Sequence, residues 1–276
     1  MAVALALVAL LVWLGARSPE PPPPLSGQKC TVEAGGTVRL GGDQMANAAT
    51  ITAVGTRLEL PERAVVVALA TALQESKLRN LPHLGVDNDH DSVGLFQQRP
   101  SQGWGTEDQL RDPRYAAERF YRALREVAGW DRMRLTDAAQ RVQRSAFPEA
   151  YQKWEHDATV LATALLGRAG GAVACTVADR PAARGAAAAA AVREHLSLDW
   201  GEVTKVADGP GRDELSVLAQ DQATGWRYAH WLVSHAGGLG VARVHFGELE
   251  WSTASPSWRS AGSASPHVVA EVVPEA

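Results

Sequence analysis

Leu60 to Leu73 reads LPERAVVVALATAL, and the reading of this run decides the fold. Pro61 followed by Glu62 is first-turn chemistry. A proline there has no N–H to leave unpaired, and a carboxylate complements the positive end of the helix dipole. Ala64 to Leu73 then presents apolar side chains on nearly every face, the pattern of a helix buried inside a domain. The run ends in Gln74-Glu75-Ser76. A carboxylate placed there meets apolar surroundings and the negative end of the dipole. Both disfavour its ionised form, so Glu75 is expected to have the raised pKa that a general acid near neutral pH requires. The alternative is a solvated glutamate in a last helical turn.

Working outward, Leu81 to Asp112 reads LPHLGVDNDHDSVGLFQQRPSQGWGTEDQLRD and has no period. A connection of this length is usually functional or disordered. Leu95, Phe96 and Trp104 within it argue against disorder. Glu75-Ser76 at the end of a buried helix, a polar turn holding Asp87, Asp89 and Asp91, and then Gly94-Leu95-Phe96-Gln97 carry a resemblance. The pattern resembles the lysozyme-like family of soluble lytic transglycosylases and goose-type lysozymes, with Phe96 where that family has Met.

The resemblance implies an enzyme that cleaves the bond between N-acetylmuramic acid and N-acetylglucosamine in peptidoglycan strands. Glu75 would protonate the leaving oxygen and then take a proton from the sugar's 6-hydroxyl, giving a 1,6-anhydro product. Ser76 would hold the carboxylate or the acetamide, and Gly94, Leu95, Phe96 and Gln97 would form one cleft wall. Tyr151 stands for the family's cleft tyrosine, although Gln152 follows it where the family has Asn. Asp89 or Asp91 could position a water, which would turn the reaction into the hydrolysis of a goose-type lysozyme. Arg99 stands where that branch has a further aspartate. Trp104, between two glycines, is either a sugar-stacking platform or a core residue. A wall-binding protein that keeps the cleft without the activity is a further alternative, and so is an exported structural protein.

The first 16 residues, MAVALALVALLVWLGA, are apolar throughout. Residues 1–17 therefore read as a signal peptide or a short membrane anchor, shorter than the roughly 20 residues of a comfortable span. Residues 18–27 are a proline-rich linker. Export to the extracellular side or the cell envelope follows, with the membrane touched only through this segment. The formal net charge of −4 and the lack of a Lys/Arg run give no case for nucleic acid. Only Cys30 and Cys175 occur, and in an exported chain such a pair favours a disulfide over two buried thiols. By chain entropy a bridge over so long a loop contributes at most about 5 kcal/mol. There is no CxxC, so neither a metal nor another cofactor is expected.

Between the cysteines the pattern is helical. Asp43 to Leu58 carries an apolar face. Asp112-Pro113 caps a helix striped by Ala116, Phe120, Ala123, Leu124 and Val127, and Thr136 to Val142 forms another. Phe147, Ala150, Trp154, Ala158, Leu161 and Leu165 line the last, with its aromatics read as core. Residues 28–177 are thus expected to form a mainly α domain, which the resemblance implies is lysozyme-like. An alanine-rich linker, 178–193, leads into a small α+β domain, 194–276, whose strands are marked by Leu215 and Val217, by Val244 and Phe246, and by Val268, Ala270 and Val272. Trp226 to Trp258 resembles a C-terminal domain of actinobacterial cell-wall proteins related in shape to zinc D-Ala-D-Ala peptidases. The ligands of those enzymes are missing, since His267 stands alone and His230 and His235 are five apart. This domain reads as non-catalytic.

Overall fold

A computed structural model describes residues 27–83, 90–177, 181, 183–201, 205–211 and 213–275. The expected leader at 1–17, most of the linker at 18–27, Asp87 and Asp89 lie outside the described residues. Among the described residues no helix is long and apolar enough to cross a membrane.

The described residues open with a hairpin, β1 (Lys29–Glu33) and β2 (Thr37–Gly41), which turns through Ala34, Gly35 and Gly36. Cys30 and Val32 point inward opposite Leu40 and Val38. Helix α1 (Gly42–Arg57) follows without a linker, its start closed by the Gln44 side chain accepting from the Gly41 N–H at 2.9 Å. Helix α2 (Glu62–Ser76) is the apolar run, with every residue from Ala64 to Leu73 buried. Burying a Val or Leu side chain contributes about 1.5–3 kcal/mol, so this run anchors the core. Around it pack α1, α3 (Pro113–Arg125), α4 (Leu135–Gln143) and α5 (Glu155–Leu165). Asp112 caps α3 by accepting from the Arg114 N–H, with Pro113 in the first turn.

Strand β3 (Val173–Thr176) returns to pair antiparallel with β1, completing a sheet of order β2-β1-β3. Cys30 and Cys175 face each other in that register and form the expected disulfide. The alanine tract begins α6 (Gly185–Trp200), which packs on α1. After β4 (Val206–Asp208) and β5 (Glu214–Val217) comes the almost wholly buried α7 (Gln222–Ser234). The long strands β6 (Val241–Ser252) and β7 (Ser255–Val272) complete a second antiparallel sheet of order β4-β5-β7-β6.

The structure corrects the expected fold class. With 47% of the described residues helical and 23% in strands, the latter in two antiparallel sheets, the fold is mixed rather than a mainly α lysozyme-like domain with a small α+β appendage. The first sheet is built from five-, five- and four-residue strands, the third about 140 residues away in sequence from its partner. Helical periodicity cannot register such pieces. One continuous core runs from Cys30 to Val272. Gln28 donates to the Ser234 carbonyl and accepts from the Gly237 N–H. Trp251 and Trp258 donate their indole N–H groups to the carbonyls of Cys175 and Val173.

Phe147 is also placed otherwise than expected. It is 73% exposed and precedes α5 in a loop, with the helix starting eight residues later. Pro148 is the reason, because the residue before a proline is pushed out of helical backbone geometry.

Two buried histidines tie the halves together. His230 Nε2 accepts from the Ala172 N–H at 3.0 Å, while Nδ1 lies 2.8 Å from the Ala164 carbonyl. His235 stacks on Trp231, with Nδ1 2.9 Å from the Trp231 carbonyl. Burial lowers each from 6.5 to about 4. Folding therefore favours the neutral rings, and the stability tied to them is complete above pH 6.5. It is lost as pH falls from 6.5 to 4, by roughly 3 kcal/mol per histidine as an upper figure. Thermal melts are expected to show a steep fall in Tm across that window, and a His230→Gln variant a shallower one. A flat Tm from pH 7 to 4.5 would contradict it.

Candidate functional site

The last turn of α2 ends in an unusual way. Lys77 and Leu78, neither a glycine, both take left-handed backbone angles, φ 57° and 60°. Such angles cost a side-chain-bearing residue roughly 1–2 kcal/mol each. Tertiary contacts hold them. Leu78 is fully buried, and Gln44 and Asn47 of α1 donate side-chain amides to the carbonyls of Lys77 and Leu78 at 2.7 and 2.8 Å. The helix is thus stopped sharply just after Glu75-Ser76, with Glu75 half-buried and Ser76 buried.

The Gly94–Gln97 turn is fastened to this helix end. Ser76 Oγ donates to the Leu95 carbonyl at 2.8 Å, and Gln143 of α4 donates to the Phe96 carbonyl at 2.7 Å. Leu95 and Phe96 are fully buried, with Phe96 stacked on Phe120 at 4.7 Å, so these side chains hold the turn from beneath. Gly94 has φ +75°, and a Cβ there would lie 2.3 Å from the Leu110 carbonyl oxygen, so only glycine fits. Gln97, a third non-glycine residue at positive φ (49°), folds its amide back onto the Gly94 carbonyl. Strain at the α2 end and in the turn fastened to it is the kind of outlier that clusters at working sites.

Tyr151 reaches the same point from the loop before α5. Its hydroxyl donates to Glu75 Oε1 at 2.6 Å. Burial first, then the Glu75 charge and this hydrogen bond, push the Tyr151 phenol up, so it remains an O–H donor. Among the described residues Oε2 of Glu75 has no protein partner, which leaves one oxygen held and the other open.

The remaining expected residues are placed apart from this bond. Asp91 accepts from the Ser101 N–H and Oγ and from Arg99 Nε, at 2.7, 2.8 and 3.1 Å. Those bonds, the Ser101 N–H foremost, lower its carboxyl to about 2. Arg99 thereby becomes the partner of Asp91. Trp104 is half-buried against the core, its carbonyl accepting from Tyr115 and Arg119. Asp89 lies outside the described residues. Among those described, no group of three or more His, Cys, Asp or Glu is placed to hold a metal.

Several neighbours of Glu75 were not singled out by sequence. Trp154 donates its indole N–H to Gln74 Oε1 at 2.9 Å, and Lys77 and Lys153 lie over its ring. The signal was present but weak. Lys77 and Lys153 each stand two residues after a candidate site residue.

What the arrangement can do is move one proton at one atom. Tyr151 fixes the carboxyl, and Oε2 can give a proton and take one back. Loss of the Tyr151 hydroxyl (Tyr151→Phe) removes one charge-assisted hydrogen bond, and any reaction that Glu75 performs is expected to lose about tenfold in kcat with little change in KM. An unchanged kcat would show that the contact does not position Glu75. No protein-family model matches the chain, and no curated protein matches it significantly.

Proposed function

We propose that the protein is a peptidoglycan-cleaving glycosidase, acting between N-acetylmuramic acid and N-acetylglucosamine as a lytic transglycosylase with Glu75 as its single general acid and base. The observation that carries this reading is the 2.6 Å bond from Tyr151 to Glu75 at the point where the α2 end and the Gly94–Gln97 turn are tied by Ser76. Tyr151 reaches the half-buried Glu75 carboxyl, while the Gly94–Gln97 turn is tied to the adjacent Ser76, whose hydroxyl bonds the Leu95 carbonyl rather than the carboxylate or acetamide expected for it.

In this mechanism Oε2 delivers its proton to the glycosidic oxygen as the C1–O bond breaks. The sugar's 6-hydroxyl then attacks C1, directly or after the acetamide, and its proton passes to Oε2. The leaving sugar departs with a 4-hydroxyl, the other end closes as a 1,6-anhydro ring, and Glu75 is again protonated. No second carboxylate is needed. That choice between branches is favoured by Asp91, whose two oxygens are engaged by Arg99 and Ser101 rather than by Glu75.

The glycan substrate and an exported, envelope-facing location belong to the same proposal. Incubating the purified protein with cell walls and analysing released fragments by mass spectrometry tests it. Anhydro-terminated fragments are expected. Water-terminated fragments would move the assignment to a goose-type lysozyme, and wall binding without release would leave a non-catalytic binding protein.

A further inference from the structure

The chain has four lysines, and two of them meet beside Glu75. Lys77 Nζ lies 4.5 Å and Lys153 Nζ 5.6 Å from the centre of the Trp154 ring. Each lysine stands two residues after one partner of the Tyr151–Glu75 bond, and Trp154 is pinned to Gln74, the residue before Glu75. A negatively polarised indole face explains why an ammonium sits on it. It does not explain two like charges around one ring. Lys77 also donates to the Leu73 carbonyl at 3.1 Å, but among the described residues neither lysine forms an ion pair. Burial and then the Lys153 charge lower the Lys77 ammonium, with Glu75 opposing. In a chain of net charge −4, this is a positive pair without an ion-pair partner among the described residues, opposed only by the nearby Glu75 charge. With ammonium groups over it, the Trp154 ring serves as a support for charge rather than a bare stacking surface for sugar.

Resting on the function proposed above, we infer that Lys77, Lys153 and Trp154 form a subsite for a carboxylate carried by the glycan strand whose bond lies at Glu75. A carboxylate arriving there would relieve the repulsion between the two ammoniums and accept hydrogen bonds from both. The subsite selects acidic over neutral polymers of the same backbone.

The test compares binding of the full chain to carboxymethyl chitin and to glycol chitin, which share an N-acetylglucosamine backbone and differ in charge. Dextran sulfate serves as a general polyanion. Carboxymethyl chitin is expected to bind about tenfold more tightly than glycol chitin at low salt, and more tightly than dextran sulfate. Lys77→Met with Lys153→Met should erase the preference while glycol chitin affinity stays the same, and the two arginine variants should keep it. Lys153→Met alone, at an exposed position, should halve the logarithmic preference and guards against misfolding of the double variant. Equal affinity for the two chitins, a preference that survives both Met changes, equal loss of both polymers, or equally tight dextran sulfate would each overturn the subsite. Wall cleavage without preference removes the subsite alone. Preference without cleavage removes the enzymatic proposal alone, and binding to neither polymer together with no wall cleavage removes both.

Discussion

Replacing Glu75 with Gln is expected to reduce the release of soluble wall fragments by at least about 100-fold, the low end of what a positioned proton transfer contributes. Glutamine keeps the size of the side chain and can still accept the Tyr151 hydroxyl through its amide oxygen. It has no proton to deliver to a leaving sugar and cannot receive one from the 6-hydroxyl. The protein should therefore melt within a few degrees of the parent while product formation disappears. That separation matters because Glu75 is only half-buried and glutamine keeps its size, so its replacement leaves no cavity. Fragment release at the parent rate by a folded variant would remove Glu75 from the chemistry.

The second large effect concerns stability. Asp199, at the end of α6, is completely buried and accepts three bonds: from Arg114 Nε at 2.5 Å, Trp231 Nε1 at 2.7 Å and Thr50 Oγ at 2.9 Å. These donors lie on α3, α7 and α1, so one carboxylate joins four helices from both halves of the chain. Asp199→Ala leaves the Arg114 guanidinium, 20% exposed, with only the Asp112 carboxylate at 3.9 Å as an ion-pair partner, strands the buried Trp231 indole N–H, and leaves the Thr50 hydroxyl only His235 Nε2 at 3.4 Å. Breaking a buried pair from one side destabilises by about 3–5 kcal/mol. Urea unfolding should show a loss of that size, in a single transition that moves for both halves together. A change below about 1 kcal/mol, or two separated transitions, would contradict this account.

Much of the molecule could be read in advance because it is local. The burial of α2 follows from AVVVALATAL, the start of α3 from Asp112-Pro113, and the existence of the last strand from the alternation of Val268, Ala270 and Val272. What escaped was set by contacts distant in sequence. Cys30 and Val32 alternate with Val38 and Leu40 about a glycine turn, a hairpin signal only five residues long on each side. Its third strand, β3, has no local mark at all. Phe147 shares helical spacing with Trp154 and Leu161, and Pro148 was the stronger message. At the site, Glu75 and the Gly94–Gln97 turn were visible as motifs. Tyr151 was named only by resemblance, which did not give its bond to Glu75, and Lys77 and Lys153 were marked only by standing two residues after Glu75 and Tyr151. Asp199 could have been suspected. A carboxylate in the last turn of a helix opposes the dipole, and that conflict signals a partner elsewhere.

The bond between Cys30 and Cys175 has a mechanical consequence. Tension applied ahead of β1 and beyond β3 passes from one sulfur to the other and bypasses the 144 residues between them. The segment that holds Glu75 then carries no load, whatever pulls on the two ends. In a single-molecule stretching experiment the oxidised chain should extend only by its outer segments, and added reductant should release the enclosed length as a separate step.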